Sequence, residues 1–203
     1  MKFLLSVFFR HRRAVIGGKF SMYQHCYVSE INMSDTILTT KRLRLEKIGN
    51  KHKSDLYALL SNPKVHKYFP KALDRNESVA FFENIQYRYN VDGYCFWAAI
   101  RSTDNVFLGI CGLLSQIIDG QKETEVGYRL LDEFWGQGYG TEAAWGCIQY
   151  GKKVLNLASI ISLIRPVNLP SIRVAEKNGL TLEKETVFQN MRHFVYRINL
   201  NET

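Results

Sequence analysis

Glu125-Val-Gly-Tyr128-Arg129-Leu130-Leu-Asp-Glu-Phe-Trp135-Gly136-Gln137-Gly138-Tyr139-Gly140-Thr141-Glu-Ala143 reads as a strand, a short turn and a glycine-studded entry into a helix. Gly136, Gly138 and Gly140 fall at every second position, so the backbone can bend sharply and approach a ligand without Cβ interference. Amides exposed at a helix N-terminus favour an anion, through unsatisfied N–H groups and the helix dipole. The pattern is that of a pyrophosphate cradle. It is neither of two familiar ones: Thr141 occupies the third glycine's place in G-x-G-x-x-G, and no Gly-Lys-Ser/Thr follows. A glycine-rich turn with a purely linking role is the competing reading.

A second segment decides between them. Asn168-Leu-Pro-Ser171-Ile-Arg-Val-Ala-Glu-Lys-Asn-Gly179-Leu follows the apolar, β-branched stretch 159–164. Together the two blocks resemble the GNAT superfamily of acyl-CoA-dependent N-acyltransferases. The family's phosphate signature is Gln/Arg-x-x-Gly-x-Gly/Ala, and Trp135-Gly-Gln-Gly138-Tyr-Gly140 stands at that place with Trp for the leading residue. Thr39-Thr-Lys-Arg-Leu-Arg-Leu resembles the opening strand of the branch that holds the ribosomal-protein N-terminal (Rim-type) acetyltransferases. Asn62-Pro-Lys-Val-His-Lys-Tyr-Phe resembles that branch's first helix-to-loop passage. The resemblance runs from about Thr39 to the C-terminus.

The 203 residues fit one domain, with 46% apolar and 23% charged residues as in ordinary globular proteins. Charge is uneven. Residues 1–53 hold 11 Lys/Arg against 3 Asp/Glu, whereas residues 54–203 hold 16 of each. We therefore expect a basic N-terminal extension over residues 1–35, outside the fold, and a single domain over residues 36–203. Met33 is a candidate natural start, and a membrane-surface helix is the alternative for the extension. The apolar run from Phe3 to Phe9 is too short to span a bilayer, and arginines follow it where a cleavable signal would carry small residues.

Cys26, Cys95, Cys111 and Cys147 form no C-x-x-C pair, and the five histidines form no i, i+4 pair. No metal site is expected, and reduced thiols fit a cytoplasmic protein. Helix-turn-helix, RNP and zinc patterns are lacking, so no specific nucleic-acid partner is expected. Either a monomer or a homodimer is compatible with the sequence.

Periodicity predicts a half-buried strand over 38–48 and helices over 51–60 and 78–89, the second capped by Asn76 or Glu77. Strands follow over 94–101, 106–118 and 123–131, then a helix over 139–155 and a strand over 160–164. A helix over 170–177, stopped by Gly179, precedes a closing hairpin over 182–188 and 191–200. The fold class is α/β (α+β), with a mixed, mostly antiparallel sheet flanked by helices. A strand-helix-strand unit between Glu123 and Ile164 implies one parallel pair.

The resemblance implies that these two strands, the fourth and fifth, splay apart, and that the pantetheine arm of acetyl-CoA enters the V between them. It implies backbone contacts to pantetheine from Tyr128, Arg129 and Leu130. Trp135, Gly136, Gln137, Gly138, Tyr139, Gly140 and Thr141 then surround the pyrophosphate, and Asn168 reaches the cofactor from the other side. Asn168 is also a candidate helix cap. The reaction implied is transfer of acetyl to a primary amine by direct attack in a ternary complex. Amide formation needs a neutral amine, a stabilised oxyanion and a proton for the departing thiolate. A backbone N–H near Tyr128 is the expected oxyanion donor.

Many family members carry a tyrosine seven residues after the motif Asn; here that position is Ala175. Ser171, where the Rim-type branch carries a serine, is the candidate donor, against a first-turn structural role. Glu123 and Glu125 share one strand face, and Glu125, beside the cofactor positions, is the candidate base. The acceptor expected is a protein N-terminal α-amino group, in a cleft walled by Tyr68, Phe69, Pro70 and Trp97. A small amine (polyamine, amino acid or antibiotic) and a non-catalytic acyl-CoA-binding module are the alternatives.

Overall fold

The computed structural model describes residues 35–201. The expectations for the N-terminal extension, the Met33 start, Cys26, His11 and His25 lie outside those residues. Eight strands form one sheet in the order β1-β2-β3-β4-β5-β6-β8-β7. They are β1 (Thr36–Thr39), β2 (Leu43–Lys47), β3 (Phe96–Arg101), β4 (Phe107–Ile118), β5 (Gln121–Leu130), β6 (Ser159–Ile164), β7 (Thr181–Phe188) and β8 (Met191–Asn199). The helices are α1 (Lys53–Ser61), α2 (Arg75–Asp92), α3 (Tyr139–Lys153) and α4 (Leu169–Lys177).

The expected single strand over 38–48 is a hairpin, so every later strand moves up by one. Its turn at Lys41 and Arg42 contains no Gly, Pro or Asn, and the alternating pattern runs straight across it. The bend is held from a distance. The Glu142 carboxylate accepts from Thr40 Oγ1 at 2.7 Å, from the Arg42 amide at 2.7 Å and from Arg42 Nε at 2.6 Å.

Helix α2 starts three residues before the expected residue 78. Its cap is Asp74, in a reciprocal box: Glu77 N–H donates to Asp74 Oδ1 and Asp74 N–H to Glu77 Oε2, both at 2.9 Å. The hairpins β4–β5 and β7–β8 turn through Asp119-Gly120 and Gln189-Asn190, all four with positive φ.

The two larger of three apolar clusters sandwich the sheet. Leu45, Leu113, Ala143, Cys147, Ile148 and Ile160 pack under α3. Leu56, Leu59, Leu60, Phe82, Ile85 and Ile110 pack under α1 and α2 on the opposite face. Trp97 is 1% exposed and belongs to the first core, edge-on to Tyr150 at 5.2 Å between ring centroids. It is therefore not part of an acceptor wall: its strand register turns it toward α3.

The feature that positions the site is the β5–β6 pair. It is parallel, and Glu125↔Ile161 is its one registered pairing. Beyond that point β5 stays paired to β4 as far as Leu130, while β6 stays paired to β8 as far as Ile164. The two strands separate, and Ser162 Oγ donates to the Val126 carbonyl at 3.2 Å just inside the opening.

Candidate active site

A cavity of about 640 Å³ passes through this wedge. One end is the α3 N-terminus. Gly136 and Gly138 have φ of +73° and +81°, so both need the left-handed region that glycine reaches without strain. Gly138 is the N-cap of α3. No amide from Gly136 to Thr141 has a hydrogen-bond partner among the described residues, and Gly136, Gly138, Tyr139, Gly140 and Thr141 line the cavity.

Arg42, which sequence reasoning missed, braces this loop from behind. Besides holding Glu142, its Nη1 donates to the Gln137 carbonyl at 3.0 Å and its guanidinium lies 4.3 Å from the Tyr139 ring centroid. It lies about a hundred residues away in the chain, so no local signal points to it. The Gln137 side chain turns back to the Glu133 carbonyl at 2.9 Å. Trp135, at the family's Gln/Arg position, is 47% exposed and donates its indole N–H to the Leu130 carbonyl at 2.8 Å. That oxygen is thus already engaged at the mouth of the wedge.

From the α4 side, Asn168 and Ser171 line the cavity. Asn168 Oδ1 accepts from the Ser171 amide at 3.3 Å, so Asn168 caps α4 whatever else it touches. Ser171 enters that cap through its backbone, which leaves the hydroxyl free of the capping role. Tyr128 points to the same side, with its phenol oxygen 3.5 Å from the Ser171 carbonyl. Burial pushes that phenol far above its usual range, so it stays protonated. Ala175 is 4% exposed, packs in the core and does not line the cavity.

The opposite side of β5 carries Glu125 and Arg129, two alternations apart on one face, with Gly127 between them. Glu125 is half-buried in the cavity wall, and Gln116 Nε2 donates to its Oε2 at 2.8 Å. Burial raises its carboxyl to about 7, against the lowering effects of Gln116, the Leu163 amide and Arg129. Glu123 is taken up elsewhere, paired with Arg197 at 2.7 Å.

Arg129, expected to act through its backbone, also extends its side chain into the cavity. Its guanidinium carbon lies 4.0 Å from the Phe69 ring centroid and 5.2 Å from that of Phe81. Its Nη1 meets His66 Nε2 at 3.1 Å, while His66 Nδ1 lies 3.1 Å from the Asn62 carbonyl. An arginine can only donate, so His66 accepts at Nε2 and carries its proton on Nδ1. Burial lowers the His66 pKa, in keeping with this neutral ring. Tyr68 and Phe69 line the cavity, as expected; Pro70 does not, and Phe81 and Phe96 take the places assumed for Pro70 and Trp97.

Residues 42–181 match the family described as Acetyltransferase (GNAT) domain. The chain is a GNAT acetyltransferase. Over 150 residues it is 35% identical to the uncharacterised protein YkkB of Bacillus subtilis, covering 73% of this chain and 87% of YkkB. The fold is shared with RimL, a ribosomal L7/L12 α-N-protein acetyltransferase solved with coenzyme A. The TM-score there is 0.67 at 17% identity, covering 83% of this chain and 99% of that one. It is shared too with a spermidine N-acetyltransferase from Vibrio cholerae solved with CoA and spermine (TM-score 0.65, 15% identity, 80% and 98% covered). GNAT acetyltransferases use acetyl-CoA as their acetyl donor. No helix among the described residues is long and apolar enough to cross a membrane.

Proposed function

We propose that this GNAT acetyltransferase acetylates the α-amino group of a polypeptide N-terminus. In this reading the pyrophosphate of acetyl-CoA rests on the amides from Gly136 to Thr141, and its pantetheine lies along Tyr128, Arg129 and Leu130. Asn168 flanks it from α4. The amine attacks the thioester carbonyl directly: the C–N bond forms, the C–S bond breaks, and Glu125 takes the proton lost by the amine. The departing thiolate takes one proton through the Ser171 hydroxyl, which solvent restores. A cytoplasmic setting is supported by Cys95, Cys111 and Cys147, all free and buried.

The observation that carries the acceptor assignment is the placement of Glu125, the one carboxylate lining the cavity among the described residues, held by Gln116 at 2.8 Å and raised by burial to about 7. An α-ammonium titrates near 7.7–8.0, so transfer to Glu125 is uphill by roughly one pKa unit. For a lysine or polyamine nitrogen near 10.4 the same transfer is uphill by roughly three and a half units, or about 5 kcal/mol. The aromatic wall of Tyr68, Phe69, Phe81 and Phe96 suits the first side chains of a peptide. A polycation would call for an acidic cleft, which these walls do not supply.

The test is thiol release from acetyl-CoA with N-terminal peptides, lysine-containing N-blocked peptides, spermidine and free amino acids. Peptides with free α-amino groups should be the best acceptors; efficient acetylation of spermidine or of the blocked lysine peptide would overturn the assignment.

Ser171→Ala should lower kcat a few-fold, the scale of a replaceable proton donor, with acetyl-CoA affinity and Tm nearly unchanged, because the cap uses the backbone amide. Parallel losses of Tm and activity would instead make Ser171 a structural residue.

A further inference from the structure

The cavity is more basic than the site of an amine acceptor requires. Its described walls carry Lys67, Arg88, Arg129, Arg165, Arg173 and Lys177 against the single carboxylate of Glu125. Four of these have evident employment. Arg88 donates to the Ser115 carbonyl at 2.7 Å and lies 3.6 Å from Asp92. Lys67 sits over the Tyr68 ring. Arg173 and Lys177 belong to α4, which flanks the phosphate loop, where a phosphate-rich donor provides their counter-charge.

Arg129 and Arg165 remain. Neither forms an ion pair among the described residues. Of the five N–H groups of Arg129, one meets His66, and no other described partner is found. The Phe69 and Phe81 rings fix the plane of its guanidinium without consuming donors. Arg165 contacts Met191 Sδ through Nη1, and its Nε is buried without a hydrogen-bond partner. Two half-buried cations, one acted on only at a distance by the Glu125 carboxyl and neither in an ion pair, are costly unless a ligand brings negative charge.

We propose that the acceptor carries a carboxylate close to its amine, and that Arg129, aided by Arg165, recognises it. This rests on the polypeptide reading above, where it means an acidic residue in the first two positions of the acceptor. The spacing fits. Glu125 and Arg129 are four residues apart on β5, on the order of 13 Å between Cα atoms, and their side chains extend into one cavity. Those Cα atoms are about four extended residues apart, but the Arg129 charge acts on the Glu125 carboxyl across the cavity. The side chains thus shorten that span toward the reach of an acidic side chain on one of the first two residues. Charge-assisted, bidentate-capable donors are the usual means of selecting a carboxylate.

The experiment uses the full chain and acetyl-CoA with peptides beginning Asp-Glu, Ala-Ala and Lys-Lys, together with free glutamate and spermidine. The acidic peptide should exceed the neutral one by roughly tenfold or more in kcat/KM, and the basic one should be poorest. Arg129→Gln should erase most of that preference through KM, and Arg165→Gln part of it. Equal use of acidic and neutral peptides overturns this inference and leaves the polypeptide acceptor standing. Inert peptides with good turnover of free glutamate do the reverse. A preference for spermidine or for the basic peptide removes both. The wild-type panel decides even if one variant fails to fold.

Discussion

Glu125→Gln is expected to lower kcat/KM by roughly 100-fold or more, the scale of a lost general base. The wild-type profile should rise as pH passes through about 7, where the Glu125 carboxyl ionises. In the variant that limb should vanish and leave the deprotonation of the acceptor amine alone. A limb near 7 that survives in the variant would show that another group accepts the proton.

The same substitution has a second, opposite consequence. The folded carboxyl, at about 7, holds its proton more tightly than an ordinary glutamate carboxyl, near 4.5, does in the unfolded chain. Its burial is therefore tolerated fully below pH 4.5 and costs stability as pH rises through 7, by up to about 3 kcal/mol. Glu125→Gln should raise Tm at pH 8 and leave it nearly unchanged at pH 4. Less activity and more stability from one change is the signature of a carboxylate kept for chemistry.

Gly138→Val should weaken acetyl-CoA binding by at least about tenfold, because a β-branched residue is strained at positive φ and turns the loop amides from their line. Gly138 has φ +81°, and an added Cβ would stand 3.4 Å from Arg42 Nη2, the end of a flexible chain that can retreat. Calorimetry measures the affinity. Gly151→Val is the contrast: its Cβ would come within 2.6 Å of Ile160 Cδ1, inside the core and away from the loop. That variant should lose Tm, whereas Gly138→Val should lose chiefly affinity. Unchanged affinity in a folded Gly138→Val protein would remove the phosphate from these amides.

Much of this was legible in the sequence because it is written locally. Residues 125–143 carry strand, loop and helix start in consecutive positions, and period-two alternation separates Glu125 from Tyr128 without a structure. Three things were hidden, each for want of a local signal. The β1–β2 turn depends on Glu142, which lies far along the chain, so its own residues look like uninterrupted strand. Trp97 sits among residues buried on both faces of β3, and periodicity gives no orientation where polar positions are missing. The His66–Arg129 contact joins a loop to a strand; the alternation put Arg129 on the Glu125 face, but nothing in the sequence brought His66 to it.

The single registered pair between β5 and β6 has a wider meaning. A strand edge on a protein's surface is a template for any passing chain, and proteins usually blunt it. Here an edge is turned inward, with each lip stitched to an outer neighbour, β4 on one side and β8 on the other. Another polypeptide cannot dock along it without parting those strands. In the proposed mode of binding, the slender, amide-bearing arm of acetyl-CoA lies there as a guest strand that the sheet itself lacks. The opening thus selects its visitor by girth before any side chain takes part.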